Sequence, residues 1–157
     1  MDSNLKKEFT RRLSQCNKGE LIVIMYDIVF AYIHEAVETY EKKDYEAYKT
    51  SIKNAQKSID TLKNALNHQY ELSKDLYKLY VYASNALAKS IYQNRLDGLK
   101  EAEDILKHLY TSFYEVAKTD TSGPLMRNTQ QVYEGITYGR NSLNENCIES
   151  GHRGFFV

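Results

Sequence analysis

The sequence predicts an all-α protein: an antiparallel, up-down four-helix bundle with an N-terminal arm and a C-terminal extension. Three observations predict it. Helix breakers are nearly absent between Glu20 and Asp97, since the one proline is Pro124 and every glycine except Gly19 lies at or beyond Gly98. Four successive segments carry apolar residues at alternating steps of three and four. Those segments are of similar length, roughly 20 residues or ~30 Å each, and are joined by short polar turns, which favours antiparallel neighbours.

The chain opens with an arm, residues 1–18. It is charged and then mixed, and Leu5, Phe9 and Leu13 are spaced by four. This suits a short amphipathic segment that docks loosely. The bundle is expected over 19–118. Its first helix, about Gly19 to Glu41, begins with a capping signal: Asn17 as N-cap, and Glu20 three residues later. Two apolar rows follow, Leu21, Met25, Ile28, Tyr32, Ala36 and Ile22, Val29, Ile33, Val37. An apolar face this broad must be covered by several other helices.

Asp44 is a plausible N-cap for the second helix after the charged break at Lys42 and Lys43. The seam there is Tyr45, Tyr48, Ile52, Ala55, Ile59, Leu62 and Leu66, heptad-like over three repeats, and Asn67 to Gln69 end it. The third helix, about Ser73 to Gln93, places Leu72, Leu76, Leu79, Ala83 and Leu87 on one seam, with Tyr77, Tyr80 and Ser84 beside it. Asn94 to Asp97 is a turn, with Asp97 as the next N-cap candidate. The fourth helix repeats the rhythm at Leu99, Ala102, Leu106, Leu109, Phe113 and Val116. The extension, 119–157, starts as a linker. A short helix over 128–138 is expected there, with Val132, Tyr133, Ile136 and Tyr138 positioned to occupy or extend an inter-helix groove. The end, GFFV, is expected to be mobile unless it docks.

Composition narrows the function classes. There are 21 basic and 21 acidic residues, a formal net charge of zero. Nucleic-acid affinity rests mainly on an excess of Lys and Arg, so no nucleic acid is expected as a partner. The polar start MDSNLKKEFTRR lacks the apolar run of a secretory signal, and no apolar stretch reaches the ~20 residues of a bilayer span. No membrane insertion and a cytoplasmic location are therefore expected. Cys16 and Cys147 stand alone and read as free thiols. The four histidines, His34, His68, His108 and His152, are isolated from one another, and only His152 follows a Glu by three, Glu149, whereas bundle di-iron sites require that pair on two helices. No phosphate loop or nucleophile motif is present. The expectation is a non-enzymatic bundle without a cofactor or metal, whose useful property is its surface: grooves that hold a partner helix. The 14 tyrosines, flat with a polar tip, suit such a surface, though many would simply edge the core.

Three stretches also carry a resemblance. GELIVIMYD at 19–27, KKDYEAYKTSIKNAQKSIDTLKNALN at 42–67 and LYVYASNALAKSIYQN at 79–94 follow one another at matching spacings, and Tyr114 stands where an aromatic is frequent. Together they resemble the flagellar export chaperone FliS family over about 14–118. The resemblance implies a cytosolic chaperone that binds the carboxy-terminal segment of flagellin, which is disordered alone and forms amphipathic helices when bound. It implies that this capping prevents premature polymerisation, and that the pair is presented to the flagellar export gate. The groove candidates on this view are Leu21, Ile22, Met25, Tyr26, Ile59, Leu62, Tyr77, Tyr80, Tyr82 and Leu87. The alternative is a helical-bundle adaptor or regulatory paralogue binding another flagellar or cytosolic protein. Oligomeric state is not legible.

Overall fold

The computed structural model describes residues 1–126. They form five helices: α1 (Ser3–Gln15), α2 (Lys18–Glu41), α3 (Tyr45–Asn64), α4 (Glu71–Gln93) and α5 (Asp97–Thr119). No strand occurs among the described residues. The helices α2 to α5 close a ring in which α2 packs on α3, α3 on α4, α4 on α5 and α5 back on α2, while α1 lies against α2. Each neighbour runs opposite to the last. Tyr48 of α3 bonds the Ser90 carbonyl late in α4, and Gln56 bonds the Ser84 carbonyl earlier in α4. His34, late in α2, meets Glu103 early in α5, while Gly19 at the start of α2 meets Asp120 just beyond α5. The expected short helix over 128–138 lies outside the described residues.

Local chemistry sets most helix ends. Asn17 accepts from the Glu20 amide while the Glu20 side chain accepts from the Asn17 amide, a complete capping box. Asp2 and Asp44 cap α1 and α3 through their carboxylates. Asn94 ends α4 in the left-handed region, φ 50°, a conformation asparagine tolerates better than most residues. Asp97 departs from expectation. It sits in the first turn of α5 rather than at the cap, where it pairs with Arg95 at 2.8 Å.

The core follows the seams, with corrections in three helices. In α3, Tyr48, Ile52, Ala55, Ile59 and Leu62 are all buried, whereas Tyr45 at the start of the expected seam is exposed. In α4 the buried row is Ser73, Leu76, Tyr80, Ala83, Leu87 and Ser90, and the expected seam members Leu72 and Leu79 face outward. The buried row keeps an unbroken three-four step and puts small residues where α5 comes closest. A Cβ at Gly98 would lie only 2.2 Å from the Ala86 carbonyl oxygen and 2.6 Å from Ser90 Oγ. Glycine at the start of α5 therefore sets the α4–α5 spacing. Gly19 is similar: a Cβ there would lie 3.0 Å from the Ala117 Cα. In α5, Leu99, Ala102 and Leu106 are buried, whereas Val116 at the far end of the expected seam is exposed.

A clasp joins the two ends of this unit. The Gly19 amide donates to the Asp120 carboxylate at 2.9 Å, and the Asn17 side-chain amide donates to the Asp120 carbonyl. Bonds from Ser122 and from the Gly19 amide hold the Asp120 carboxyl below its usual value. Farther on, the Leu125 amide donates to the Cys16 carbonyl at 2.9 Å. Residues 120–125 are thereby held beside the elbow between α1 and α2.

Candidate functional site

The ten expected groove residues do not form one surface. Tyr26, Ile59, Leu62, Tyr80 and Leu87 are sealed inside the bundle. The reason for the two tyrosines is a partner the sequence does not reveal: their hydroxyls lie 2.7 Å apart in the core, so both can be buried without an unpaired polar tip. Burial, and for Tyr26 also the neighbouring Tyr80, pushes both phenols above the ordinary tyrosine value. Ile22 and Met25 are half-buried against the core, and Leu21 packs under α1. Tyr77 and Tyr82 are exposed on α4. Tyr77 lies near Lys63 and His68, and Tyr82 hydrogen-bonds Glu101 across to α5.

The concave surface is elsewhere, where α1 lies across α2 opposite α5. Phe9 is the buried anchor of α1; it joins Cys16 and Ile24, with Leu13, Leu21, Ile28 and Ala31 around them. Burial raises the Cys16 thiol above its usual value, as expected of an inert packed thiol. Arg12 of α1 reaches over to Asp27 of α2, Nη2 to Oδ2 2.7 Å. Burial and the nearby Asp27 carboxylate push the Tyr110 phenol up. Arg12 and Asp27 thus link α1 to α2 across the middle of the face, with Tyr110 of α5 lining the same hollow as Asp27.

This crosspiece separates two hollows. One, about 520 Å³, is lined by Val23 and Ile24 of α2, Tyr114, Ala117 and Lys118 of α5, and the end of α1. The other, about 730 Å³, is floored by Phe30, Ala31, Tyr110, Leu5 and Met1 and edged by His34, Glu35, Glu38 and Lys107. Their shared wall is aromatic. Phe30 and Tyr110 meet edge to face with centroids 5.7 Å apart, and Tyr110 stacks on Tyr114 at 5.7 Å. The wall continues inward through Tyr26 and Phe113, 5.7 Å apart. Burial acts to raise the Glu103 carboxyl, but Lys107 and His34 outweigh it and hold it below the usual range.

Sequence reasoning missed Arg12, Phe30 and Tyr110 as surface-forming residues. A usable signal was the aromatic density of α5: Tyr110, Phe113 and Tyr114 exceed what one inward stripe requires. Chemically, the face offers an apolar, aromatic trough with a polar rim, which is suited to holding a peptide. Among the described residues, no cluster of three or more His, Cys, Asp or Glu could hold a metal ion, and no helix is long and apolar enough to cross a membrane.

Two comparisons with known proteins bear on this arrangement. The family model described as "Flagellar protein FliS" matches residues 1–120, which takes in all five helices. No curated protein matches the chain.

Proposed function

This chain belongs to the flagellar protein FliS family, and from that membership we propose that it is an export chaperone for flagellin, binding the carboxy-terminal segment of that protein in the cytoplasm. The bound segment is held as amphipathic helices, cannot polymerise, and is passed on with the chaperone to the flagellar export gate. The observation that supports this reading best is the aromatic trough between α1, α2 and α5, with its two hollows in line along α2. A segment that folds on binding needs a long apolar track, since its ordering costs a few kcal/mol that contact area must offset. Two hollows along one helix supply a track rather than a point. Half-buried Ile22 and Met25, and Leu21 under α1, would support it from α2. Exposed Tyr77 and Tyr82 would serve a segment that continues around the bundle to α4.

The test is titration of the full chain with a peptide covering the carboxy-terminal segment of flagellin, followed by calorimetry and far-UV circular dichroism. Saturable binding with a gain of helicity and a negative heat-capacity change is expected. Failure to bind either the peptide or full-length flagellin would overturn the reading and leave a bundle adaptor for another protein.

A further inference from the structure

The two hollows differ in charge, and the difference specifies what lies in each. In the hollow beside Val23 and Ile24 the charges are matched. Arg12 is taken by Asp27, Lys118 by Glu115 at 2.9 Å, and the Glu20 carboxylate by its own capping box. In the hollow beside Phe30 they are not. Its lysine, Lys107, is already neutralised by Glu103 at 2.8 Å, and Glu103 also takes His34. Of the acids on that rim, Asp2 caps α1, Asp27 holds Arg12, and Glu35 accepts from Ser51 and from the amino group of Met1. The Met1 amino group, bonded to Glu35, attracts Glu38 from farther off, but within ion-pair distance Glu38 has only Lys42, at 3.9 Å, with both side chains largely exposed. Such a pair is worth little and yields readily to a better partner.

We propose that the partner segment lies along α2 with a Lys or Arg side chain in the hollow between Phe30, Tyr110 and Glu38, and with an uncharged apolar stretch against Val23, Ile24 and Tyr114. This rests on the cleft being the partner site. The apolar stem of the basic side chain lies along the Phe30 and Tyr110 rings, which also attract its charged head, and Glu38 receives that head at the rim. Charge thus fixes the register of a segment whose apolar contacts alone would allow it to slide.

The experiment compares the full-length wild-type protein, Glu38→Lys and Glu46→Lys, the second a charge reversal of the same sign on α3, which lines neither hollow. Each is titrated with the carboxy-terminal flagellin peptide and with the same peptide having its Lys and Arg replaced by Gln. Glu38 and Glu46 are exposed, and circular dichroism confirms that both variants fold. Glu38→Lys is expected to weaken the native peptide about three- to tenfold at low ionic strength, with the loss shrinking in high salt. Against the Gln peptide it should change nothing, and Glu46→Lys should shift either peptide less than about twofold. Wild-type binding with equal effects at the two positions, or with a Glu38 effect that survives in the Gln peptide, overturns the charge register and leaves the chaperone reading intact. No binding of the native peptide to wild type overturns both.

Discussion

The two faces of α2 are built to different standards. Its inner face sends Tyr26, Val29, Ile33 and Ala36 into a core shared with α3, α4 and α5, where each is essentially inaccessible. Its outer face is covered by α1, a helix of 13 residues whose one buried residue is Phe9. The inner face is closed by interdigitated side chains. The outer one is held by a small cluster and by an ion pair between Arg12 and Asp27 that is itself part-exposed. Regions with few buried apolar contacts open locally at much lower free energy than the global transition. One helix therefore serves both as a structural wall and as the floor of a surface that can exchange its contacts.

Truncation should separate the two faces most strongly. Leu106→Ala removes a side chain with no exposed area from the bundle centre, and about 2–5 kcal/mol of stability should go with it in denaturant unfolding. Phe9→Ala, a larger truncation, should cost less in that global transition while raising amide exchange throughout α1. A global loss for Phe9→Ala as large as for Leu106→Ala would mean that α1 belongs to the core, and the contrast would fail.

Alkali should find the inner face next. Tyr26, Tyr48 and Tyr80 are all pushed above the ordinary value of 10.0, in each case chiefly by burial. Their neutral forms are favoured in the folded state. Their contribution is therefore complete below pH 10.0 and is lost as pH rises above it, because the unfolded chain gains by ionising first. Phenolate absorbance from the buried group should appear together with loss of helicity. If those phenols ionise while the far-UV signal stays intact, they are not sealed.

The phenol pair supplies a smaller, local contrast. Tyr80→Phe strands the Tyr26 hydroxyl in the core and should lower stability by about 1–3 kcal/mol. Tyr26→Phe with Tyr80→Phe removes both polar tips, and the double variant should recover part of that loss. Additive losses would mean that the hydroxyls do not depend on one another.

What the sequence disclosed and what it hid follow the range of the interactions. The capping box at Asn17 and Glu20 and the cap at Asp44 act within three residues, and both were legible. The α3 seam was legible because its three-four steps admit one buried stripe. In α4 two adjoining rows were equally apolar. The choice fell to the close approach of Gly98 to Ala86 and Ser90, a contact between helices that no local pattern records. Tyr26 and Met25 are neighbours that cannot both point inward, and Tyr26 is the buried one because its hydroxyl meets Tyr80, 54 positions away. The trough was hidden for the same reason. Arg12 with Asp27, and Phe30 with Tyr110, become neighbours only after the arm has docked and α5 has returned along α2.

The smallest expected effect tests the outer face alone. Arg12→Ala removes the one ion pair between α1 and α2 that spans the crosspiece, and with its partners 35% and 24% exposed it should contribute no more than about 1 kcal/mol. The global unfolding midpoint should scarcely move, because the core does not use the pair. The readout is local: amides of α1 should exchange faster, and the difference from wild type should narrow as salt screens the wild-type pair. An unchanged α1 would assign its docking to Phe9, Leu13 and Ile24 and to the bond between the Met1 amino group and Glu35. A fall in the global midpoint would instead extend the core through Asp27 to Tyr110, so that the outer face of α2 would share the inner one's stability.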